Sequence, residues 1–141
     1  MPQDNLRRVS LTRTGHSAFR ATNIRGGSLD IGGGDGTNFS PVELLLAAMG
    51  ACSGMDVDVI TSRRAEPTRF DIEVRGDKLR DEHGNHLDNI VTRFTVAFPD
   101  GPEGDAARAV LADAVQRSQD RLCTVTRTVI LPTTVSTVLD G

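Results

Sequence analysis

One apolar stretch, SPVELLLAAMGACSGMDVDVI at residues Ser40–Ile60, constrains the fold more than any other part of this chain. Ser40 is a favourable N-cap, Pro41 suits the first helical position, and Glu43 is placed to close a capping box with Ser40. From Leu44 to Met49 the predicted helix is apolar on every side, which is typical of a helix buried at the centre of a domain. We therefore predict a long central helix.

The rest of the chain predicts strands and a further helix around this central helix. Alternating apolar and charged residues indicate half-buried strands, and apolar residues at helical spacing indicate the second helix. The expected elements are strands at 6–13, 18–25, 28–31, 70–75, 90–98 and 133–139 and a helix at 105–119, with a polar turn at 81–89 and with 124–130 open between strand and helix. Because strands and helices do not alternate strictly, the order predicts an α+β fold. With no linker in 141 residues, residues 1–141 are expected to form a single domain.

The composition excludes several classes of function. The formal net charge is −3 with 25% charged residues, whereas a nucleic-acid-binding surface is expected to be basic. The chain has no Trp, no Tyr and five Phe, so aromatic platforms for stacking bases are not expected. The longest apolar run is too short to span a bilayer, and the polar start MPQDNLRR lacks the apolar core of a signal peptide. We expect a cytoplasmic protein that binds neither nucleic acid nor a membrane.

The two cysteines, Cys52 and Cys123, are the residues best able to carry chemistry. They lie 123 − 52 = 71 positions apart, and in a cytosolic domain such a pair is either two inert core thiols or a redox pair. Cys52 lies in the middle of a helix and gains little from the helix dipole, so a reactive thiol there requires a nearby cation. Asp56, one turn further along, would raise the pKa of this thiol unless an arginine pairs with it. The candidate cations are three arginines of the first strands, Arg13, Arg20 and Arg25.

Cys123 follows the second predicted helix, where it could meet Cys52 across the packed helices. If the two Cα atoms lie about 4.4–6.8 Å apart, one thiolate can attack a peroxide to become a sulfenic acid and the other can condense with it to a disulfide. Glu43 has two interpretations, because it either only completes the helix cap or holds an arginine near the thiolate. His83 and His86 fall in a polar turn without a nearby cysteine, so we expect no metal site there.

Three segments of the chain, SPVELLLAAMGACSGMDV, DAVQRSQDRLC and VILPTTVSTVL, resemble the OsmC/Ohr family of osmotically inducible and organic hydroperoxide resistance proteins. The resemblance runs from about Gly32 to Leu139 in the family's order. Its most specific part is the P-x-E-L-L-x-A-A-x-x-x-C helix with a distant second cysteine. The chain departs from the family pattern at Val42, where the Ohr branch has its arginine-holding glutamate, and at Thr124, which is often proline in the family.

This resemblance implies an intertwined homodimer in which antiparallel six-stranded sheets wrap around central helices. It also implies a thiol peroxidase cycle in which Cys52 is peroxidatic and Cys123 is resolving, with Glu43 and Arg20 as supporting residues. Organic hydroperoxides are the implied substrates, and a dithiol such as a lipoyl group is the implied external reductant. No metal or bound cofactor is needed. The alternative is a non-catalytic dimer of the same fold that binds a small apolar or thiol-bearing ligand at the dimer seam, with structural cysteines.

Overall fold

The computed structural model describes residues 5–141, and residues 1–4 of the polar start lie outside the described part. The contacts group the chain into two compact units, residues 1–45 and residues 46–141. The first unit contains a three-stranded sheet, and the second contains a two-stranded sheet and most of the helical residues. The assignment of residues 1–141 to a single domain stays a prediction.

The first unit contains an antiparallel meander of three strands, as predicted. The strands β1 (Val9–Gly15), β2 (Ala18–Asn23) and β3 (Ser28–Ile31) are hydrogen-bonded in the order β1-β2-β3. The turn after β2 is closed by the Asn23 side chain, whose Oδ1 accepts the backbone N–H groups of Arg25 and Gly27, each at 3.0 Å. A side chain that replaces ladder hydrogen bonds in this way explains why β2 ends at Asn23, two residues before the predicted boundary.

The long helix α1 (Pro41–Thr61) begins with the predicted capping box. The backbone N–H of Glu43 donates to Ser40 Oγ at 3.2 Å, and the backbone N–H of Ser40 donates to Glu43 Oε1 at 2.9 Å. The pair satisfies two amide groups that the first helical turn leaves without intrahelical partners. The hydrogen bond from the Ser40 backbone also holds the pKa of Glu43 below its ordinary value.

Glu43→Gln is expected to lower the thermal midpoint at neutral pH by about 1–3 °C, a small effect because the carboxylate is exposed. Since the folded-state pKa of Glu43 is depressed, its contribution is present above the unfolded-state pKa and is lost as the pH falls through the folded-state pKa. The difference between the two proteins should therefore vanish in acid, as measured by circular dichroism melts across a pH series. A constant difference at every pH would contradict this account.

The second unit contains a long hairpin formed by β4 (Arg69–Asp81) and β5 (Gly84–Ala97). The predicted polar turn at 81–89 is wrong in extent, because only Glu82 and His83 form the turn and the flanking polar residues are paired in the two strands. Backbone pairing therefore continues beyond the half-buried part of the hairpin, where the apolar alternation that marks a strand in the sequence is lost. Helix α1 packs closely on this hairpin, since a Cβ atom at Gly50 would lie 2.8 Å from Val74 Cγ2.

The helices that follow complete the second unit. They are α2 (Pro102–Arg117), a π-helical turn (Ser118–Leu122) and α3 (Thr124–Ile130), which resolves the open assignment of residues 124–130 in favour of helix. The buried apolar core of the chain comes chiefly from α1, α2 and the start of α3, and consists of Met49, Val57, Phe98, Ala107, Ala114 and Cys123.

The predicted closing strand at 133–139 is wrong for the described chain, because residues 131–141 form no helix or strand. A strand needs a neighbouring strand to accept and donate its backbone hydrogen bonds, and within residues 5–141 no β-ladder includes this segment. Its apolar side chains Val135, Val138 and Leu139 are all exposed.

Among the described helices, α1 is long and apolar enough to cross a membrane by length and composition. The criterion uses the mean hydropathy of a long window, so it does not test the short uninterrupted apolar run on which the sequence expectation rests. Buried core helices of soluble proteins also meet the criterion. One third of the most apolar 18-residue part of α1 is buried in the protein. The absence of a membrane partner stays a prediction.

Candidate functional site

The structure brings Cys52 and Cys123 together, although 71 positions separate them in the sequence. The two sulfur atoms lie within 4.8 Å of each other, and both cysteines are free thiols. Cys52 lies in the middle of α1 and is partly exposed, whereas Cys123 precedes α3 and is fully buried. A reagent that enters the site therefore meets Cys52 first.

Hydrogen bonds favour the thiolate form of Cys123. Its sulfur caps the N-terminus of α3, because it accepts the backbone N–H of Thr126 at 3.3 Å and lies 3.2 Å from the Thr126 hydroxyl. Burial opposes ionisation, but hydrogen bonds from Ser53, Thr126 and Cys52 hold the pKa of Cys123 below its ordinary value. These hydrogen bonds thus favour the thiolate of Cys123 against the effect of its burial.

The π-helical turn donates hydrogen bonds to two polar side chains of the central helix. Gln119 Nε2 donates to Ser53 Oγ at 3.0 Å, and Ser118 Oγ donates to Asp56 Oδ2 at 2.9 Å. Ser53 in turn donates toward Cys123. The wider π turn lets two successive residues, Ser118 and Gln119, both reach α1, and such turns are frequent at functional sites.

The pKa of Cys52 shifts in the opposite direction, above its ordinary value. Burial raises the pKa of the Cys52 thiol, and the neighbouring Cys123 raises it further, while backbone hydrogen bonds from Val125 and Thr124 oppose the rise. The raised pKa agrees with the expectation that a reactive Cys52 needs an adjacent cation. Within residues 46–141, no arginine is among the groups that shift the pKa of Cys52. Thr124, which departs from the family pattern, supplies a backbone N–H that a proline would lack.

The predicted supporting residues, Arg20 and Glu43, each have a partner within residues 1–45. Arg20 Nε donates to Asp30 Oδ1 at 2.8 Å across the paired strands β2 and β3, and Glu43 is engaged in the capping box with Ser40. Each thus has a structural role that is sufficient by itself, and a role for either at Cys52 stays a prediction.

Sequence reasoning missed the polar side chains that surround Cys123 and Asp56. Thr126 had a readable signal, because Cys123 and Thr126 have the spacing of an N-cap residue and its third helical residue. Ser53, Ser118 and Gln119 had none, because their contacts join α1 to a π turn that no local pattern predicts.

His83 lies in the hairpin turn, as predicted, whereas His86 lies in β5, where it pairs with Leu79. His83 is exposed beside Glu82, and His86 Nδ1 lies 3.7 Å from Asp81 Oδ2. Within residues 5–141 neither histidine belongs to a group of three metal-ligating side chains.

Comparison with known proteins shows where this fold occurs. The family model described as OsmC-like protein matches residues 33–138. A hypothetical protein from Aquifex aeolicus VF5 is 25% identical with a TM-score of 0.70, over 89% of this chain and 87% of that one. An OsmC-like protein of unknown function from Vibrio cholerae is 14% identical with a TM-score of 0.73, over 89% of this chain and 94% of that one.

The organic hydroperoxide resistance protein OhrB of Bacillus subtilis has the same fold with a lower TM-score. It is 20% identical, with a TM-score of 0.52, over 86% of this chain and 90% of that one. No curated protein matches the sequence at a significant level. Together these likenesses confirm the predicted α+β fold with antiparallel sheets.

Proposed function

The chain belongs to the OsmC-like protein family, as its sequence resemblance predicted, and on this premise we propose that it reduces organic hydroperoxides through a Cys52–Cys123 disulfide cycle. The observation that carries the proposal is the approach of the two free sulfur atoms to within 4.8 Å. The similarity to the B. subtilis organic hydroperoxide resistance protein supports this substrate class.

In the first step Cys52 acts as the nucleophile and Cys123 as its base. The Cys52 thiol passes its proton to the Cys123 thiolate, and the Cys52 sulfur attacks the terminal oxygen of the hydroperoxide. The O–O bond breaks, and its electron pair leaves on the alkoxide, which takes the proton from Cys123. The products are the alcohol, a Cys52 sulfenic acid and a Cys123 thiolate.

In the second step the Cys123 thiolate attacks the sulfur of the Cys52 sulfenic acid. An S–S bond forms and the S–O bond breaks, and the leaving hydroxide takes a proton to become water. The hydrogen bonds that favour the Cys123 thiolate keep this sulfur in the deprotonated form that both its roles require, although they also make it a weaker base. An external dithiol, such as a lipoyl group, returns the disulfide to two thiols by exchange and becomes a disulfide itself.

The proposed active species is a cytoplasmic homodimer. Apolar side chains that are exposed on the sheet of the first unit, such as Leu11 and Leu29, would gain cover from a second copy. The same holds for the exposed apolar residues of the segment 131–141, which would gain strand partners as well.

The second candidate is the non-catalytic binding protein. The raised pKa of Cys52 favours it, because a protonated thiol is a poor nucleophile. An apolar cavity of about 340 Å³ between α1 and β4 could accept a small apolar ligand, and its lining residues are Ala51, Gly54, Met55, Asp58, Pro67, Phe70 and Ile72.

One equivalent of cumene hydroperoxide added to the reduced protein decides between the two candidates. The disulfide cycle predicts the loss of both free thiols per chain and an intact mass lower by two hydrogen atoms, with no disulfide-linked dimer on a non-reducing gel. Protein blocked with N-ethylmaleimide is the control. If both thiols remain reduced while cumene hydroperoxide persists, the peroxidase proposal is wrong and the binding protein is favoured.

A further inference from the structure

A third ligand group lies beside the two thiols. Asp56 follows Cys52 by one helical turn on α1, and a carboxylate oxygen of Asp56 and the two sulfur atoms all lie within 4.8 Å of one another. Among residues 5–141 no other group of three Cys, His, Asp or Glu side chains comes this close together. The disulfide cycle described above uses the two sulfur atoms and leaves Asp56 without a role.

The cluster lacks a positive charge of its own. The Asp56 carboxylate takes part in no ion pair within the described residues 5–141, and its one polar partner there is the neutral Ser118 hydroxyl. Three arginines line the adjoining cavity of about 400 Å³, namely Arg63, Arg64 and Arg117. None of them forms an ion pair with Asp56. Partly buried anionic groups without a cation are unfavourable, so a bound cation would stabilise the arrangement.

Each of the three ligand atoms is held by hydrogen-bond donors, as the ligands of metal sites are. Ser118 orients Asp56, and backbone N–H groups of α3 donate toward Cys52. Cys123 accepts hydrogen bonds from Ser53 and Thr126. Such outer hydrogen bonds fix the orientation of metal ligands and contribute substantially to affinity.

We propose that the reduced Cys52–Asp56–Cys123 cluster binds a thiophilic divalent cation of the zinc class, one per chain. Two thiolates and a carboxylate suit Zn²⁺, which leaves a fourth position open, whereas Mg²⁺ and Ca²⁺ require oxygen ligands. Zinc–sulfur bonds of about 2.3 Å and zinc–oxygen bonds of about 2.0–2.2 Å separate the ligand atoms by about 3.5–4 Å. The observed cluster is within about 1 Å of that spacing.

Metal binding and disulfide formation exclude each other at this site. Coordination takes both cysteines as thiolates and releases their protons to solvent, whereas a disulfide leaves neither sulfur with a free thiolate. An oxidant such as diamide, which takes up two electrons and two protons to become its hydrazine, would convert the two thiolates to a disulfide and release the cation. The cation is thus a ligand of the reduced state that shields the thiols.

Titration of the reduced chain with Zn²⁺ against a chromophoric chelator, without peroxide, tests the proposal. We expect one Zn²⁺ per chain in the wild type, and for Co²⁺ a thiolate-to-metal charge-transfer band in the near ultraviolet. Asp56→Asn should weaken binding by about tenfold or more, and Cys52→Ser and Cys123→Ser by at least as much. The matched control is Asp58→Asn, because Asp58 lies on the same helix, is exposed and belongs to the other cavity.

The proposal is overturned if either serine variant, verified as folded by circular dichroism, binds Zn²⁺ like the wild type, or if Asp56→Asn and Asp58→Asn have the same affinity. Diamide should release the bound Zn²⁺, and retention of the ion after full disulfide formation also contradicts the proposal. This test and the peroxidase test can fail separately. Zinc binding without reaction with peroxide rejects only the peroxidase function, and reaction with peroxide without zinc binding rejects only the metal site.

Discussion

Cys52→Ser is expected to abolish the reduction of cumene hydroperoxide, with a fall in rate of about 10³-fold or more. The expectation follows from the position of Cys52, which is the more exposed of two sulfur atoms within 4.8 Å and so the one that a peroxide reaches. A serine hydroxyl is a far weaker nucleophile and forms no sulfenic acid. The measurement is the consumption of hydroperoxide in the presence of a dithiol such as dihydrolipoamide.

Cys123→Ser is the informative partner of this variant. It retains the attacking sulfur but loses the base and the resolving thiol, so oxidation should be slower and should stop at a Cys52 sulfenic acid that dimedone can trap. Wild-type protein should give little of the dimedone adduct, because the disulfide forms first. If Cys52→Ser consumes hydroperoxide as fast as the wild type does, the proposed cycle is wrong.

Gly104→Ala is expected to destabilise the protein by about 3 kcal/mol and to lower the thermal midpoint by about 10 °C. Gly104 is buried in the first turn of α2, and a Cβ atom there would overlap the carbonyl oxygen of Pro99 and lie 2.8 Å from its carbonyl carbon. The obstacle is backbone rather than the end of a flexible side chain. The same carbonyl also accepts a hydrogen bond from Arg108 at 3.4 Å, which restrains the backbone from moving away.

The matched control is Gly36→Ala, because a Cβ atom at Gly36 meets nothing within 4 Å. That variant should melt within a degree or two of the wild type, or slightly higher, since alanine restricts the unfolded chain. Thermal melts by circular dichroism at one protein concentration give the comparison. Equal midpoints for the two alanine variants would show that the start of α2 can move away from Pro99.

Sequence reasoning succeeded where a structure is specified by residues close together in the chain. Ser40, Pro41 and Glu43 predicted the start of α1 to the residue, because a capping box is formed by neighbours in sequence. The strand at 133–139 was predicted on the same local basis and is absent, because a strand also needs a partner that the segment's own residues cannot provide.

The sequence by itself determined the α+β class, the helix that carries Cys52 and the family, and it predicted the two cysteines as the chemical centre. The tertiary structure alone decided that Cys52, Asp56 and Cys123 meet, and that hydrogen bonds favour the thiolate of Cys123. The physical reason is that periodicity and capping act over a few residues, whereas thiol acidity depends on burial and on donors from distant elements. Ser53 on α1, Gln119 on the π turn and Thr126 on α3 reach Cys123 or its neighbours only after these helices have packed together.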